Sequence, residues 1–337
     1  MPDMALFTAE EDPAQEIADA IIDRPVILFS GQGSQQSGMG RDLAEVDREA
    51  MDLWKEGERL SGLPLRAIYW EGNEKEMNDT RAVQPALTIC NLNTWRAFSQ
   101  RHGVAPMAVA GHSLGEFAAL GAAKVLSFEE TIKAVSLRGR LMAEADPQGV
   151  GAMAAIIKLE TPQVEEIVSE VSDASGELLV AANYNTPTQT VISGSHEAIK
   201  QACKKAKELK GRSVELAVSG AFHSPLMEEA NKEFHKLLDK LSWHKPIVPV
   251  YSNVSGQAAS DENEVKKSIW KQMISPVFWV NLIRNLYLAG ARWWMEISPR
   301  AVLGKMLGPS VAGLAGHCDA WRVDLINSLS SILNYAA

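Results

Sequence analysis

Gly111-His112-Ser113-Leu114-Gly115 directly follows the apolar run Met107-Ala108-Val109-Ala110 and directly precedes a long stretch with helical spacing. A strand that turns at once into a helix leaves no room for side chains beside the turning residue. Glycines therefore flank the serine, and its hydroxyl stands at the tip. The helix that follows aims unpaired N–H groups and the positive end of its dipole at the same point, where a negative oxygen can be held. The segment thus predicts a nucleophile elbow and acyl-transfer chemistry. A chance five-residue match in a surface loop is the competing reading, and the strand-to-helix context weighs against it.

The same alternation recurs upstream. Val26-Ile27-Leu28-Phe29 reads as a short buried strand that runs into Gly31-Gln32-Gly33-Ser34-Gln35. Residues 41 to 61, 86 to 102 and 129 to 142 have helical spacing. After Gly149-Val150-Gly151 the texture changes to strand, helix, strand, twice over: strands at 152–159, 178–182, 191–193 and 213–218, helices at 162–171 and 197–209. The expected fold class is α/β. An α/β-hydrolase-like lobe with a mostly parallel sheet (25–150 and 219–337) carries an inserted small ferredoxin-like α+β lobe (151–218), behind an N-terminal extension at 1–24. The extension reads equally as a short surface helix, with Ala14, Ile17, Ala18, Ile21 and Ile22 as its apolar face, or as a frayed tail.

Composition narrows the function. The chain has 337 residues, 46% of them hydrophobic, enough for a large core. Against 42 acidic side chains stand 33 basic ones, a net charge of −9, which argues against nucleic acid or an anionic membrane as partner. No run of about eighteen apolar residues predicts a membrane span. Cys90, Cys203 and Cys318 lie far apart with no CxxC pair, a usage that fits a reducing compartment and neither zinc nor a disulfide framework. Residues 1 to 24 are rich in acids, unlike import or secretory leaders, so a cytoplasmic location is expected.

A serine hydroxyl needs a base, and histidine has the suitable pKa. Of seven histidines, His102, His196, His235 and His244 sit among polar residues and read as solvated. His317 has no companion motif. His112 adjoins the serine at a turn where neighbouring side chains diverge, so it reads as loop support. His223 lies in Gly220-Ala221-Phe222-His223-Ser224-Pro225, where the chain re-enters the larger lobe, and is the candidate base; a loop histidine fixed by backbone bonds is the alternative. Arg138 borders the apolar face of its helix, where a guanidinium can grip a carboxylate with two parallel bonds, or else form an ordinary ion pair. Gln32 can present a backbone N–H to an oxyanion, although such loops also simply make turns. The Gly-x-Gly around it lacks the third glycine of the dinucleotide pattern.

Phe-Ser-Gly-Gln-Gly-Ser-Gln (29 to 35), Gln84-Pro85-Ala86, Gly-His-Ser-Leu-Gly-Glu (111 to 116), Leu-Arg-Gly-Arg-Leu-Met (137 to 142) and Gly-Ala-Met-Ala-Ala-Ile (151 to 156) occur in that order. So do Asn183-Tyr184-Asn185-Thr186-Pro187, Ala-Phe-His-Ser-Pro-Leu-Met (221 to 227), Ser252-Asn253-Val254 and the segment 272 to 279. Together they resemble the malonyl-CoA:acyl carrier protein transacylases, from about Pro25 to Gly308. The resemblance implies that Ser113 is the nucleophile and His223 its base, oriented by a carbonyl at Gln272 with Asn253 close by. It implies an oxyanion hole at the backbone N–H groups of Gln32 and Leu114, and Arg138 binding the malonyl carboxylate. His112, Phe222, Asn183, Asn185 and Asn253 are drawn into the substrate-binding surroundings.

The resemblance further implies a two-step transfer through a malonyl-serine ester, with acyl carrier protein and malonyl-CoA as partners, no nucleic acid, no membrane, no metal and no cofactor. Lys204, Lys205, Lys207, Lys210 and Arg212 could form the positive face that an acidic carrier needs, or simply a solvated helix face. A hydrolase that clears acyl groups from carrier proteins with the same Ser–His pair is the rival, and a non-catalytic docking protein the third possibility. Two departures from the family pattern stand out: Phe278 after Pro276-Val277, and Ser298-Pro299-Arg300 in place of Gly-Pro-Gly.

Overall fold

In the computed structural model residues 24–336 are described, apart from 73, 147–148, 219 and 315–320. The N-terminal segment, His317 and Cys318 therefore lie outside the described residues. Two sheets organise the chain. The first has the order β10-β9-β1-β2-β7-β8, with β1 Val26–Phe29, β2 Ala108–Gly111, β7 Val250–Tyr251, β8 Ala258–Ala259, β9 Trp293–Ile297 and β10 Arg322–Ile326. Every neighbouring pair is parallel except the edge pair β7–β8. Apolar β1 is buried on both faces: Ile27 and Phe29 enter one core, Val26 and Leu28 another. This two-sided burial is what a parallel sheet between helical layers demands. The first core takes in helices Arg48–Ser61, Thr80–His102, Gly115–Ala122 and Phe128–Glu144; the second takes in Trp279–Leu288 and Gly304–Val311.

The second sheet is antiparallel, in the order β4-β5-β3-β6, from β3 Gly151–Ile157, β4 Leu179–Thr186, β5 Gln189–Ser195 and β6 Arg212–Glu215. With helices Thr161–Ser175 and His196–Glu208 interleaved, this is the ferredoxin-like βαββαβ order. Those helices bury Val164, Ile167, Val171, Ile199 and Ala202 against Ala154, Ile156 and Ile192 of one sheet face. From the opposite face Met153, Ala155 and Val191 join the core of the larger sheet. Asn183 of β4 forms an isolated parallel bridge with Val277, just before helix Trp279–Leu288.

Three elements depart from the sequence reading. The helical stretch 41 to 61 is two helices, Arg41–Val46 and Arg48–Ser61, because the extended Asp47 caps the second through Ala50 N–H at 3.1 Å. The helix expected from residue 86 starts at Thr80, capped by Asp79, and carries Pro85 inside it. Strand β4 runs on to Thr186, beyond the expected end at 182. No helix among the described residues is long and apolar enough to cross a membrane.

Candidate active site

Strands β1 and β2 lie side by side with Phe29 opposite Gly111, so the loops that leave them emerge together. They are pressed close enough that side chains are excluded. A Cβ on Gly111 would lie 1.9 Å from the Gly115 carbonyl carbon, one on Gly115 would lie 2.0 Å from Phe29 O, and one on Gly31 would lie 2.4 Å from His112 O. Ser113 itself sits at φ 49°, in the left-handed region, which confirms the strained elbow. Asn253 clamps this turn: its Oδ1 accepts Ser113 N–H at 2.6 Å and its Nδ2 donates to Gly111 O at 2.7 Å. Asn253 was expected among the substrate-binding residues. It is instead fully buried, with its amide taken up by the elbow backbone.

His223, also at positive φ (56°), brings Nε2 to 2.7 Å from Ser113 Oγ. Its Nδ1 faces two carbonyls, Gln272 O at 3.0 Å and Ser275 O at 3.1 Å. Carbonyls only accept, so Nδ1 carries the proton and Nε2 is free to take one from the serine. Burial first, and then the Arg138 charge, push the imidazole from 6.5 down to about 3. A depressed pKa keeps the base neutral as pH falls. Sulfonylation of Ser113 by a neutral serine-directed sulfonyl fluoride should therefore hold its rate down to about pH 5. A rate falling with a midpoint near 6.5 would show that the imidazole is not shielded in this way.

Arg138 is 1% exposed, and none of the ion pairs among the described residues involves it, so the ion-pair alternative does not hold. Its guanidinium donates to Gln84 Oε1 and Gln272 Oε1, both at 2.9 Å, approaches Ser113 Oγ at 3.4 Å, and lies 5.5 Å from the Phe117 ring centre. Among the described residues its Nε–H has no hydrogen-bond partner. Burial lowers Arg138 to about 10 while the Glu116 charge raises it, so it remains a cation near neutrality. A buried cation held only by neutral acceptors lacks a counter-charge at its surface, and an incoming carboxylate would supply it.

Gln272 contributes twice. Besides its backbone carbonyl, its carboxamide Nε2 donates to Ser113 O at 2.7 Å and Glu116 Oε2 at 2.9 Å. Glu116 Oε1 accepts Asn253 N–H at 3.1 Å. Burial raises this carboxyl to about 7, while Gln272, Asn253 and Arg138 oppose that rise. Gln84, Glu116 and Ser275 lie within motifs that carry the resemblance, but no role is assigned to them from sequence. Glu116 left a signal, as the one charge in the otherwise apolar helix Gly115–Ala122. The contact of Gln84 with Arg138 was missed because the helix was started too late, and Ser275 acts through a carbonyl that leaves no side-chain trace.

Around these groups lies a cavity of about 90 Å3, lined among others by Gln32, His112, Leu114, Asn183, Phe222 and His223. Among the described residues the N–H groups of Gln32 and Leu114 have no partner. His112 donates through Nε2 to Asn185 Oδ1 at 2.7 Å and packs edge-on against Trp279, so His112 and Asn185 brace each other at the rim. Arg300 donates to Gly33 O and Gln36 to Pro299 O, so the departure at 298–300 anchors the loop that carries Gln32. Phe278 stacks on Tyr184 in a separate surface groove.

Other expectations fare differently. His102 and His235 are not solvated: each bonds a carbonyl, Ile332 O at 2.8 Å and Trp270 O at 2.6 Å, and packs on aromatic rings. Lys204 and Arg212 are exposed, whereas Lys205 is paired with Glu170 at 2.6 Å. Cys90 and Cys203 are free thiols.

The family model for the acyl transferase domain matches residues 26–314. The chain belongs to the acyl transferase family. Within it, the malonyl CoA-acyl carrier protein transacylase of Bacillus subtilis is 37% identical over 281 residues, 83% of this chain and 88% of that protein. The Staphylococcus aureus (strain MW2) protein of the same name is 34% identical over 285 residues, 84% and 91% of the two chains. Among solved structures, a malonyl-transacylase in complex with its type II PKS acyl-carrier protein superposes with a TM-score of 0.85 at 32% identity, covering 92% of this chain and 98% of that one. The malonyl-CoA:acyl carrier protein transacylase of Xanthomonas oryzae gives 0.85 at 32% identity, with 94% and 99% coverage.

Proposed function

We propose that this acyltransferase moves the malonyl group from malonyl-CoA to the phosphopantetheine thiol of an acyl carrier protein, through a malonyl ester of Ser113. The observation that carries the reading is the buried Arg138 cation beside the Ser113–His223 pair, at a cavity lined by all three. Ser113 Oγ attacks the thioester carbonyl as its proton passes to His223 Nε2. The tetrahedral oxyanion is held by the N–H groups of Gln32 and Leu114, and the CoA thiolate leaves with the proton returned by His223. In the second half His223 takes the proton of the carrier thiol, whose sulfur attacks the ester, and Ser113 is regenerated. Carbonyls at His223 Nδ1 fix the tautomer but stabilise imidazolium less than a carboxylate would. The malonyl carboxylate on Arg138 offsets the charge that disfavours imidazolium, so the base strengthens once the correct donor is bound.

Asn183 and Phe222 shape the acyl cavity in this reading, with His112 and Asn185 at its rim. The carrier meets Lys204 and Arg212, with a smaller part for Lys205 because of its Glu170 partner. The lobes divide at 25–150 with 219–337, and 151–218. No cofactor takes part, the two thiol carriers being substrates. The enzyme works in the cytoplasm, a reading supported by cysteines that lie far apart with no CxxC pair.

Incubation with equimolar malonyl-, acetyl- and methylmalonyl-CoA and holo-carrier protein tests the proposal. Malonyl-carrier should be the main product, formed faster than free malonate. Free acid outpacing carrier loading would point to the hydrolase instead.

A further inference from the structure

Four side chains from four segments meet beneath the serine. Glu116 comes from the elbow helix, Arg138 from helix Phe128–Glu144, Asn253 from the loop after β7, and Gln272 from the end of helix Glu262–Gln272. Glu116 is 1% exposed and is not among the residues that line the cavity. Among the described residues its side chain accepts two hydrogen bonds: from Asn253 N–H at Oε1 and from the Gln272 amide at Oε2. These two accepted bonds favour the anion and oppose the burial that raises this carboxyl. The consequence falls on Gln272. Both hydrogens of its Nε2 are engaged, one by Glu116 and one by Ser113 O, which leaves Oε1 turned to the Arg138 guanidinium. Rotated by half a turn, the carboxamide would set its oxygen against the Glu116 carboxylate and its NH2 against the Arg138 cation, losing three bonds at once.

We infer that Glu116 is a positioning residue, whose carboxylate locks the Gln272 carboxamide so that Arg138 is held with its charge free for the acyl carboxylate. This rests on the reading of Arg138 as the malonyl clamp. Glu116 sits one carboxamide away from the cation, near enough to favour its charged form through the buried interior yet not in contact with it. Direct pairing would close the clamp to substrate, whereas a neutral relay orients the guanidinium and leaves it open. An acid serving only the helix dipole would need no link to Gln272.

The test compares malonyl-CoA with acetyl-CoA, whose acyl group has no carboxylate for the clamp. Glu116→Gln keeps shape but replaces an acceptor by a donor. It should raise KM for malonyl-CoA about tenfold or more and lower the malonyl-over-acetyl preference by the same factor, with acylation from acetyl-CoA changed within about threefold. Gln272→Met keeps the backbone carbonyl on His223 and removes the relay, so it should cause a similar loss. The double variant should be no worse than the more damaging single within about twofold, because both break one linkage. Should Glu116→Gln fail to fold by thermal unfolding, Gln272→Met and Glu116→Asp carry the same comparison.

Equal losses with both donors would mark Glu116 as merely structural, and additive losses in the double variant would contradict the linkage. An unmodified protein with no preference for malonyl would overturn the clamp reading and this inference with it. A preference that survives the variants would overturn the inference alone.

Discussion

Alanine at Ser113 should abolish the covalent malonyl-enzyme and lower carrier loading by about 10⁴-fold or more, and alanine at His223 should slow acylation by about 10² to 10⁴-fold. The two differ in what remains. Without Ser113 Oγ there is no atom to carry the acyl group, whereas without His223 the hydroxyl is still present in its strained turn. Residual activity in the His223 variant should therefore rise with pH, as a serine lacking its base depends on hydroxide. Malonyl-CoA binding, measured directly, should change little in either variant, because Arg138 is untouched. Near-normal turnover after His223→Ala would remove the base from the account.

Arg138→Leu should produce the second large effect, on selectivity. A charge-assisted hydrogen bond contributes about 1.5 to 3 kcal/mol, so loss of the clamp should cost malonyl-CoA about ten- to a few-hundred-fold in kcat/KM. Acetyl-CoA should lose far less, or gain, since burial still holds His223 below its ordinary range but the smaller contribution of the Arg138 charge is removed. Parallel measurements of kcat/KM for the two donors decide the matter. An unchanged ratio would mean that the guanidinium, 3.4 Å from Ser113 Oγ, serves the fold and not the substrate.

Much of this site was legible in the residues, for reasons that differ. Ser113 announces itself because a strand that reverses into a helix within two residues tolerates only glycine beside it, and the contacts of Gly111 and Gly115 bear that out. The inward direction of Arg138 followed from helical spacing alone. The ferredoxin-like order of the second sheet followed from the repeated strand–helix–strand texture. Other parts could not be read so. The helix expected from residue 86 begins instead at Thr80, capped by Asp79, with Pro85 inside it, so the pattern did not show that Gln84 lies on a helix face turned to Arg138. Asp47 reads as one more acid on a long helix until its extended backbone and capping bond divide it. The Gln272 relay joins residues 116, 138, 253 and 272, and no local pattern records which oxygen of an amide faces which neighbour. Asn253 was placed near the site by resemblance, but only coordinates show that its amide faces backbone.

The most direct measurement is peptide mapping of the protein quenched after mixing with malonyl-CoA, before and after addition of holo-carrier protein. One malonyl group per chain is expected, on the peptide that holds Ser113, disappearing as malonyl-carrier forms. A label on any other residue, or an ester at Ser113 that the carrier thiol does not discharge, would contradict the account.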